Sequence, residues 1–243
     1  MFLQTVLANL LYPQACLLCR TALPPPFRAE DRPVCGDCAA LMPRCGPPVC
    51  LRCGVDLAGA FDAVVECSAC RRTPQAFEMA RAPWQYRGPV EGAIRQFKYH
   101  RRWRIGRWLA EDMATTARRS LPLHEVEVVV PVPLHWLKRR LRGFAPTEDL
   151  AEAVSGLLGK PYLPTALRRT RWTGTQTRLG WQERFRNVRE AFTARNRDVR
   201  ERAVLLIDDV LTSGATVNAC ARALKEAGAR RVFVLTAART PLS

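Results

Sequence analysis

Two rhythms of apolar residues run through this chain, and each predicts a different element. Apolar runs stand at Val126–Val130, interrupted only by Glu127, and unbroken at Val204-Leu205-Leu206-Ile207 and Val232-Phe233-Val234-Leu235. Runs this short predict buried strands of a parallel sheet. The second rhythm steps by three and four. Val90, Ala93, Ile94 and Phe97 place an apolar face on Pro89–Tyr99, and Ile105, Trp108, Leu109 and Met113 place one on Arg104–Arg118. Leu150, Val154, Leu157 and Leu158 do the same for Thr147–Leu158, where Glu148 and Asp149 suit the first turn and Gly159 and Pro161 stop the helix. Val217, Cys220, Ala221 and Leu224 mark a further helix, closed by Gly228. Phe2, Val6 and Leu10, flanked by Leu3 and Leu7, predict a short helix over Met1–Tyr12 that Pro13 ends, and Met79–Tyr86 predicts one more strand. From Val204 to Leu235 the order is strand, helix, strand. In such a βαβ unit the loop at the carboxyl end of the first strand is where open α/β sheets bind ligands.

That loop carries chemistry. Asp208 and Asp209 follow the apolar run, and Thr212-Ser213-Gly214-Ala215-Thr216 lead into the helix. Free N–H groups and the dipole at a helix start favour an anion, three hydroxyls add donors, and Gly214 lets the backbone come close. Two carboxylates beside a phosphate need something else to hold, namely sugar hydroxyls or a bridging cation. A phosphorylated sugar satisfies both halves.

The first third of the chain follows neither rhythm. Its prolines and scarce apolar residues cannot build a core alone. Eight of its cysteines form four Cys-x-x-Cys pairs, Cys16/Cys19, Cys35/Cys38, Cys50/Cys53 and Cys67/Cys70, separated by 15, 11 and 13 residues. Two such turns complete a tetrahedral zinc site. The simplest pairing puts Cys16, Cys19, Cys35 and Cys38 on one ion and Cys50, Cys53, Cys67 and Cys70 on a second. An interleaved pairing or a single occupied site fits the same spacing. Cys45 stands outside the pattern. Gly36 and Gly54 fall in or after the turns, where a knuckle needs a permissive backbone. Met1–Leu11 lacks a basic start and a small-residue cleavage site, so no secretory signal is read. Reduced thiols in a cytoplasmic protein are then the expectation, ahead of disulfides.

Composition adds two constraints. At 48% hydrophobic residues the chain can build a sizeable core, and no apolar run approaches the roughly 18 residues of a membrane span. The net charge is +16, and residues 1–80 hold 7 Lys/Arg against 7 Asp/Glu, so the whole surplus lies in 81–243. A basic domain implies an anionic substrate or a polyanionic partner. Lys98, Tyr99, Arg101, Arg102, Trp103 and Arg104 mix cations with stacking faces, a pattern suited to single-stranded nucleic acid; the alternative is an exposed basic helix junction with Trp103 in the core. Arg168–Arg197 carries 9 arginines against Glu183 and Glu190, with a Thr- and Gly-rich start. Such a segment between core elements is either a lid over the site or a surface hairpin. The break between the two parts is placed at Arg71–Gln75, giving domains 1–75 and 76–243.

The stretch Val204–Thr216 resembles the signature of the type I phosphoribosyltransferases. The resemblance implies a twisted parallel sheet with flanking helices. It also implies that Thr212, Ser213, Gly214, Ala215 and Thr216 hold the 5-phosphate of phosphoribosyl pyrophosphate (PRPP), while Asp208 and Asp209 hold the ribose hydroxyls as the catalytic pair. A loop at the place of Lys138, Arg139, Arg140 and Arg142 touches pyrophosphate in that fold. The whole arrangement, cysteine ribbons before a phosphoribosyltransferase-like domain, resembles the ComF family, GntX-type members included. The residues that carry this are Leu10-Leu11-Tyr12-Pro13 before Cys16, Phe97-Lys98-Tyr99, Val130-Pro131-Val132-Pro133-Leu134, Arg142-Gly143-Phe144, Gln176, Glu183-Arg184, Asn187, Ala191-Phe192 and Asp208–Thr216. Where the family has Asn-Gln-Ala after Arg-Gly-Phe, this chain has Ala145-Pro146-Thr147. Two readings follow. In one the chain binds PRPP with Mg²⁺ and takes part in DNA uptake or processing of incoming single strands, alongside other competence proteins. In the other it transfers ribose 5-phosphate from PRPP to a nitrogen base, with Gln176, Glu183, Arg184 and Asn187 in the closing lid.

Overall fold

The computed structural model describes residues 15–23, 32–57, 59, 65–100, 103–134, 140, 143–170 and 191–242. The expected helix at Met1–Tyr12 lies outside them, as do Lys138, Arg139, Arg142, Arg101, Arg102 and the lid residues Gln176, Glu183, Arg184 and Asn187.

Five strands pair in parallel: β1 (Met79–Arg81), β2 (Trp84–Gln85), β3 (Val128–Pro131), β6 (Ala203–Leu211) and β7 (Arg231–Arg239). The order is β1-β7-β6-β3, with β2 continuing beside β7 where β1 leaves off. The strand expected over Met79–Tyr86 is thus two pieces. Pro83 sits at the break, without an N–H to continue the ladder. Strand β6 is longer than the apolar run that announced it, so Asp208 and Asp209 lie within the strand, and pairing with β7 reaches Leu211.

Side chains alternate across these strands. Leu205, Ile207, Phe233 and Leu235 join one cluster with α3 (Pro89–His100), α4 (Trp103–Ser120) and α5 (Pro146–Leu158). Val204, Leu206, Val232 and Val234 join another with Val217, Cys220 and Leu224 of α7 (Ala215–Glu226). The central strands are buried on both faces, which is why their sequence reads as apolar runs without polar alternation. Strands β4 (Leu167–Arg169) and β5 (Phe192–Ala194) pair antiparallel, and the short helix α6 (Asn196–Val199) leads into β6.

The cysteine-rich part, with its short helices α1 (Gly36–Ala40) and α2 (Ser68–Arg72), is docked on the sheet rather than tethered beside it. Cys16, Val34 and Met42 share a cluster with Trp84 and the α3–α4 core. Along the outer edge of β1 and β2, the Ala80 amide donates to the Arg52 carbonyl (2.7 Å), Gln85 to Pro43 (2.9 Å), and Cys45 to the Pro83 carbonyl (3.0 Å). An edge strand covered this way offers no open ladder to another chain. The approach is tight at Gly54, whose φ is +66° and where a Cβ would lie 2.5 Å from the Ala80 carbonyl oxygen. Gly54→Ala is expected to cost about 2–4 kcal/mol, from left-handed strain plus the clash. Urea unfolding of the metal-loaded chain checks this, and a midpoint unchanged from the parent would refute it.

Candidate functional site

Where β3 stops, β6 continues. Pro131 pairs with Ile207, the Val132 amide donates to the Ile207 carbonyl at 2.8 Å, and Pro133 then lacks a donor. From Asp208 onward β6 keeps β7 on one side and, among the described residues, has no strand on the other. This step at the carboxyl end of the sheet is the crevice in which open α/β sheets bind ligands.

Asp208 and Asp209 occupy that step, both partly buried. As neighbours on a strand they face opposite sides. Asp209 faces α3, where the Lys98 ammonium lies 2.8 Å from its Oδ1, and its side chain keeps 16% exposure. Asp208 faces α7, close enough for its charge to raise the Cys220 thiol, which burial already pushes well up. The Asp209 amide donates to Asp208 Oδ1 at 2.8 Å. Burial first, and the Asp209 charge second, push the Asp208 carboxyl up to about 8, against the pull of that amide and of Lys98. The folded chain therefore keeps a proton there that the unfolded chain, titrating near 3.8, has released. Stability from this group is present at low pH and falls as pH rises from about 4 to 8, by at most about 1.4 kcal/mol per unit. Asp208→Asn is expected to flatten that slope in urea unfolding at pH 5, 6 and 7. An identical slope in parent and variant would count against it.

After Leu211 the chain turns. Thr212 and Ser213 are exposed, and Gly214 caps α7 at φ +81°, a conformation that suits glycine. Ser213 Oγ accepts from the Ala215 amide (3.4 Å), and the Asn218 amide closes onto the Gly214 carbonyl (2.8 Å). Among the described residues, the amides of Ser213, Gly214, Thr216 and Val217 have no acceptor. These are the donors that a helix start offers to an anion.

The structure relocates two elements of the sequence reading. Lys98, one of the candidate nucleic-acid residues, places its ammonium 2.8 Å from Asp209. Tyr99 and Trp103 are 60% and 62% exposed, so Trp103 is a surface residue and not part of the core. Arg104 is partly buried in α4 and Arg140 is exposed. The departure at Ala145-Pro146-Thr147 has a structural use. Ala145 caps α5, Pro146 opens it, and Thr147, buried, donates its hydroxyl to the Val132 carbonyl at 3.0 Å, fixing the chain just past β3.

The eight paired cysteines form two clusters. In each of the groups Cys16, Cys19, Cys35, Cys38 and Cys50, Cys53, Cys67, Cys70 the sulfurs all lie within 4.8 Å of one another. Sulfurs on one tetrahedral zinc stand about 3.8 Å apart. Cys53 and Cys67 are 3.8 Å apart and Cys19 and Cys35 3.6 Å, with all the cysteines free of disulfides. Backbone amides already point at the sulfurs: Leu18 to Cys16 (3.4 Å), Cys38 to Cys35 (3.4 Å) and Cys67 to Cys50 (3.2 Å). In the second group a hydrogen bond from the Cys53 thiol holds Cys50 down to about 4, while burial and then the Cys50 charge push Cys70 up to about 12. One thiolate forms and suppresses the next, a conflict that a dication removes. The donor set and spacing fit zinc. Cys45 stays outside both groups, pushed up to about 12 by burial and then Asp56.

Arg239 escaped the sequence reading. It is buried, closes β7, and reaches both the turn and Cys53. The signal for it was an arginine ending an apolar strand, a place where such a side chain needs a reason.

Comparison with known proteins agrees with this layout. The double zinc ribbon domain matches residues 7–73 and the phosphoribosyl transferase domain residues 143–241. Competence protein F of Haemophilus influenzae is 27% identical over 197 residues, 79% of this chain and 85% of its own length. DNA utilization protein YhgH of Escherichia coli is 30% identical over 231 residues, 94% of this chain and 98% of its own. The chain belongs to the ComF family. The Escherichia coli amidophosphoribosyltransferase is also 30% identical, over 141 residues, but these are 58% of this ComF-family chain and only 25% of that enzyme. Among the described residues no helix is long and apolar enough to cross a membrane.

Proposed function

We propose that the chain binds PRPP with Mg²⁺ at the end of β6 and acts in the uptake or processing of single-stranded DNA. The observation that carries the first half is the step beside β3. There two carboxylates of β6, an ammonium from α3 and, a few residues further along the chain, a glycine-capped helix start with free amides stand at one end of the sheet. Thr212 to Thr216 take the 5-phosphate, and Asp208 and Asp209 take the ribose hydroxyls. Lys98 gives the pyrophosphate a cation, joined by Arg139, Arg140 and Arg142, which follow β3 in sequence. Carboxylates are the hard oxygen ligands that suit Mg²⁺, which when bound supplies charge neutralisation for the pyrophosphate. A thermal-shift titration tests this. PRPP is expected to raise the midpoint with concentration, more strongly with Mg²⁺ than without. No shift in either condition would remove the reading.

The DNA half rests on the names of the relatives, the basic surplus in residues 81–243, and the exposed Tyr99 and Trp103 where α3 meets α4. Those rings would stack bases while Arg101, Arg102 and Arg104 meet phosphates. The ribbon part, residues 1–75 with its eight zinc-binding cysteines, stiffens the edge of the phosphoribosyltransferase-like part, residues 76–243. Binding of a labelled oligothymidylate is expected to weaken steeply between 50 and 200 mM salt, as counterion release requires. A flat response would exclude an electrostatic single-strand site. Transfer to a nitrogen base is the second reading, favoured by the likeness to amidophosphoribosyltransferase. Exchange of labelled pyrophosphate into PRPP, abolished by Asp209→Asn, would support it.

A further inference from the structure

Arg239 joins two sites that the chain keeps far apart in sequence. Its Nη1 donates to the carbonyls of Leu211 (2.9 Å), Thr212 (2.6 Å) and Thr240 (3.0 Å). Its Nε donates to the Cys53 carbonyl (3.3 Å), and its Nη2 lies 3.7 Å from Cys53 Sγ. The residue is 9% exposed, and among the described residues no carboxylate pairs with it. A buried guanidinium needs a counter-charge. Four thiolates around one zinc dication carry a net charge of minus two, so a loaded second cluster supplies it. Without metal the four sulfurs no longer share an ion that holds them together beside the guanidinium.

The other end of the same side chain sets the turn. A trans peptide points its C=O and the following N–H in opposite directions. Holding the Leu211 and Thr212 carbonyls from the ribbon side therefore turns the Thr212 and Ser213 amides away from Arg239, outward. The Ser213 amide is one of the donors left without an acceptor.

We infer that Arg239 is a positioning residue that couples the Cys50, Cys53, Cys67, Cys70 metal site to the phosphate turn, so that metal loading raises the turn's affinity for a sugar phosphate. The inference rests on the PRPP reading for its ligand. Coupling of binding sites is reciprocal, so the ligand must also alter the metal site. The first cluster, Cys16, Cys19, Cys35 and Cys38, makes no contact with Arg239 among the described residues and serves as an internal control.

The test uses the full chain loaded with cadmium-113. Two cadmium resonances are expected. Adding PRPP with Mg²⁺ should move only that of the second cluster, through the Cys53 sulfur, and Arg239→Lys should abolish the movement while the first resonance stays in place. Independently of any ligand, Arg239→Lys should speed amide exchange at least tenfold at Thr240 and Asn218, whose amides close onto the Leu211 and Gly214 carbonyls, and leave the β6–β7 ladder unchanged. Calorimetry that detects PRPP binding while neither resonance moves, or both move, overturns the inference. So does a folded variant with parental exchange at the turn. If calorimetry detects no PRPP binding, the PRPP reading fails, and the exchange measurement alone decides the coupling. A variant that does not fold leaves the parent chain's two resonances to decide it.

Discussion

Removing metal from the Cys50, Cys53, Cys67 and Cys70 cluster is expected to lower the thermal midpoint by more than about 10 °C. Bound structural zinc contributes on the order of 10 kcal/mol in small ribbons, and a chain of this size shifts by about 2–4 °C per kcal/mol. Among the described residues the apolar core of this ribbon is only the four cysteines and Val55, with Leu57 packed against them. Its collapse would also uncover β1, whose outer amide at Ala80 is capped by the Arg52 carbonyl. An exposed edge strand invites pairing with another chain, so aggregation should accompany the loss. Cys16→Ser should do less, because Cys16 lies in the larger cluster with Val34, Met42 and Trp84, which retains apolar packing without metal. Calorimetric scans of Cys53→Ser and Cys16→Ser beside the parent check both the size and the order. Equal midpoints in all three would show that the clusters do not carry the ribbons.

The second large effect is expected at Asp209. Asp209→Ala should weaken PRPP binding in the presence of Mg²⁺ by about 100-fold, since a hydrogen bond to a charged group contributes about 1.5–3 kcal/mol and Lys98 loses its partner as well. Asp208→Asn should cost about tenfold near pH 7. Asp208 already keeps its proton up to about pH 8 in the free chain, so the amide replaces a group that is mostly neutral there. The gap between the two variants should widen below pH 8 and narrow above it, where the parent Asp208 ionises. Calorimetric titration of both variants with PRPP and Mg²⁺ measures this. Equal losses at every pH would mean the two carboxylates act alike and the raised Asp208 has no part in binding.

Much of this layout was readable before any coordinates. The buried strands announce themselves as apolar runs because helices cover both faces, and Thr212–Thr216 signals its turn by hydroxyls around a glycine. What stayed hidden was set by contacts between distant segments. The end of β6 was missed because Asp208 and Asp209 interrupt the apolar run while β7 still pairs with Val210 and Leu211. Lys98 read as part of a basic stretch, since periodicity cannot say that the last turns of α3 pass beside Asp209. The pairing of the cysteines is open by spacing alone, and only the folded chain shows the sulfurs of neighbouring pairs brought together. Arg239 was hidden for the same reason, its partners lying 27, 28 and 186 residues away.

Phosphorus-31 NMR of PRPP with Mg²⁺ in the presence of the full chain tests the seating of the sugar phosphate most directly, because its three phosphorus atoms give separate signals. The 5-phosphate resonance is expected to shift and broaden on binding, and Ser213→Ala together with Thr216→Val should reverse the change at that signal first. A 5-phosphate signal identical with and without protein, at concentrations where the parent chain is folded and metal-loaded, would contradict the assignment of the turn at Thr212–Thr216.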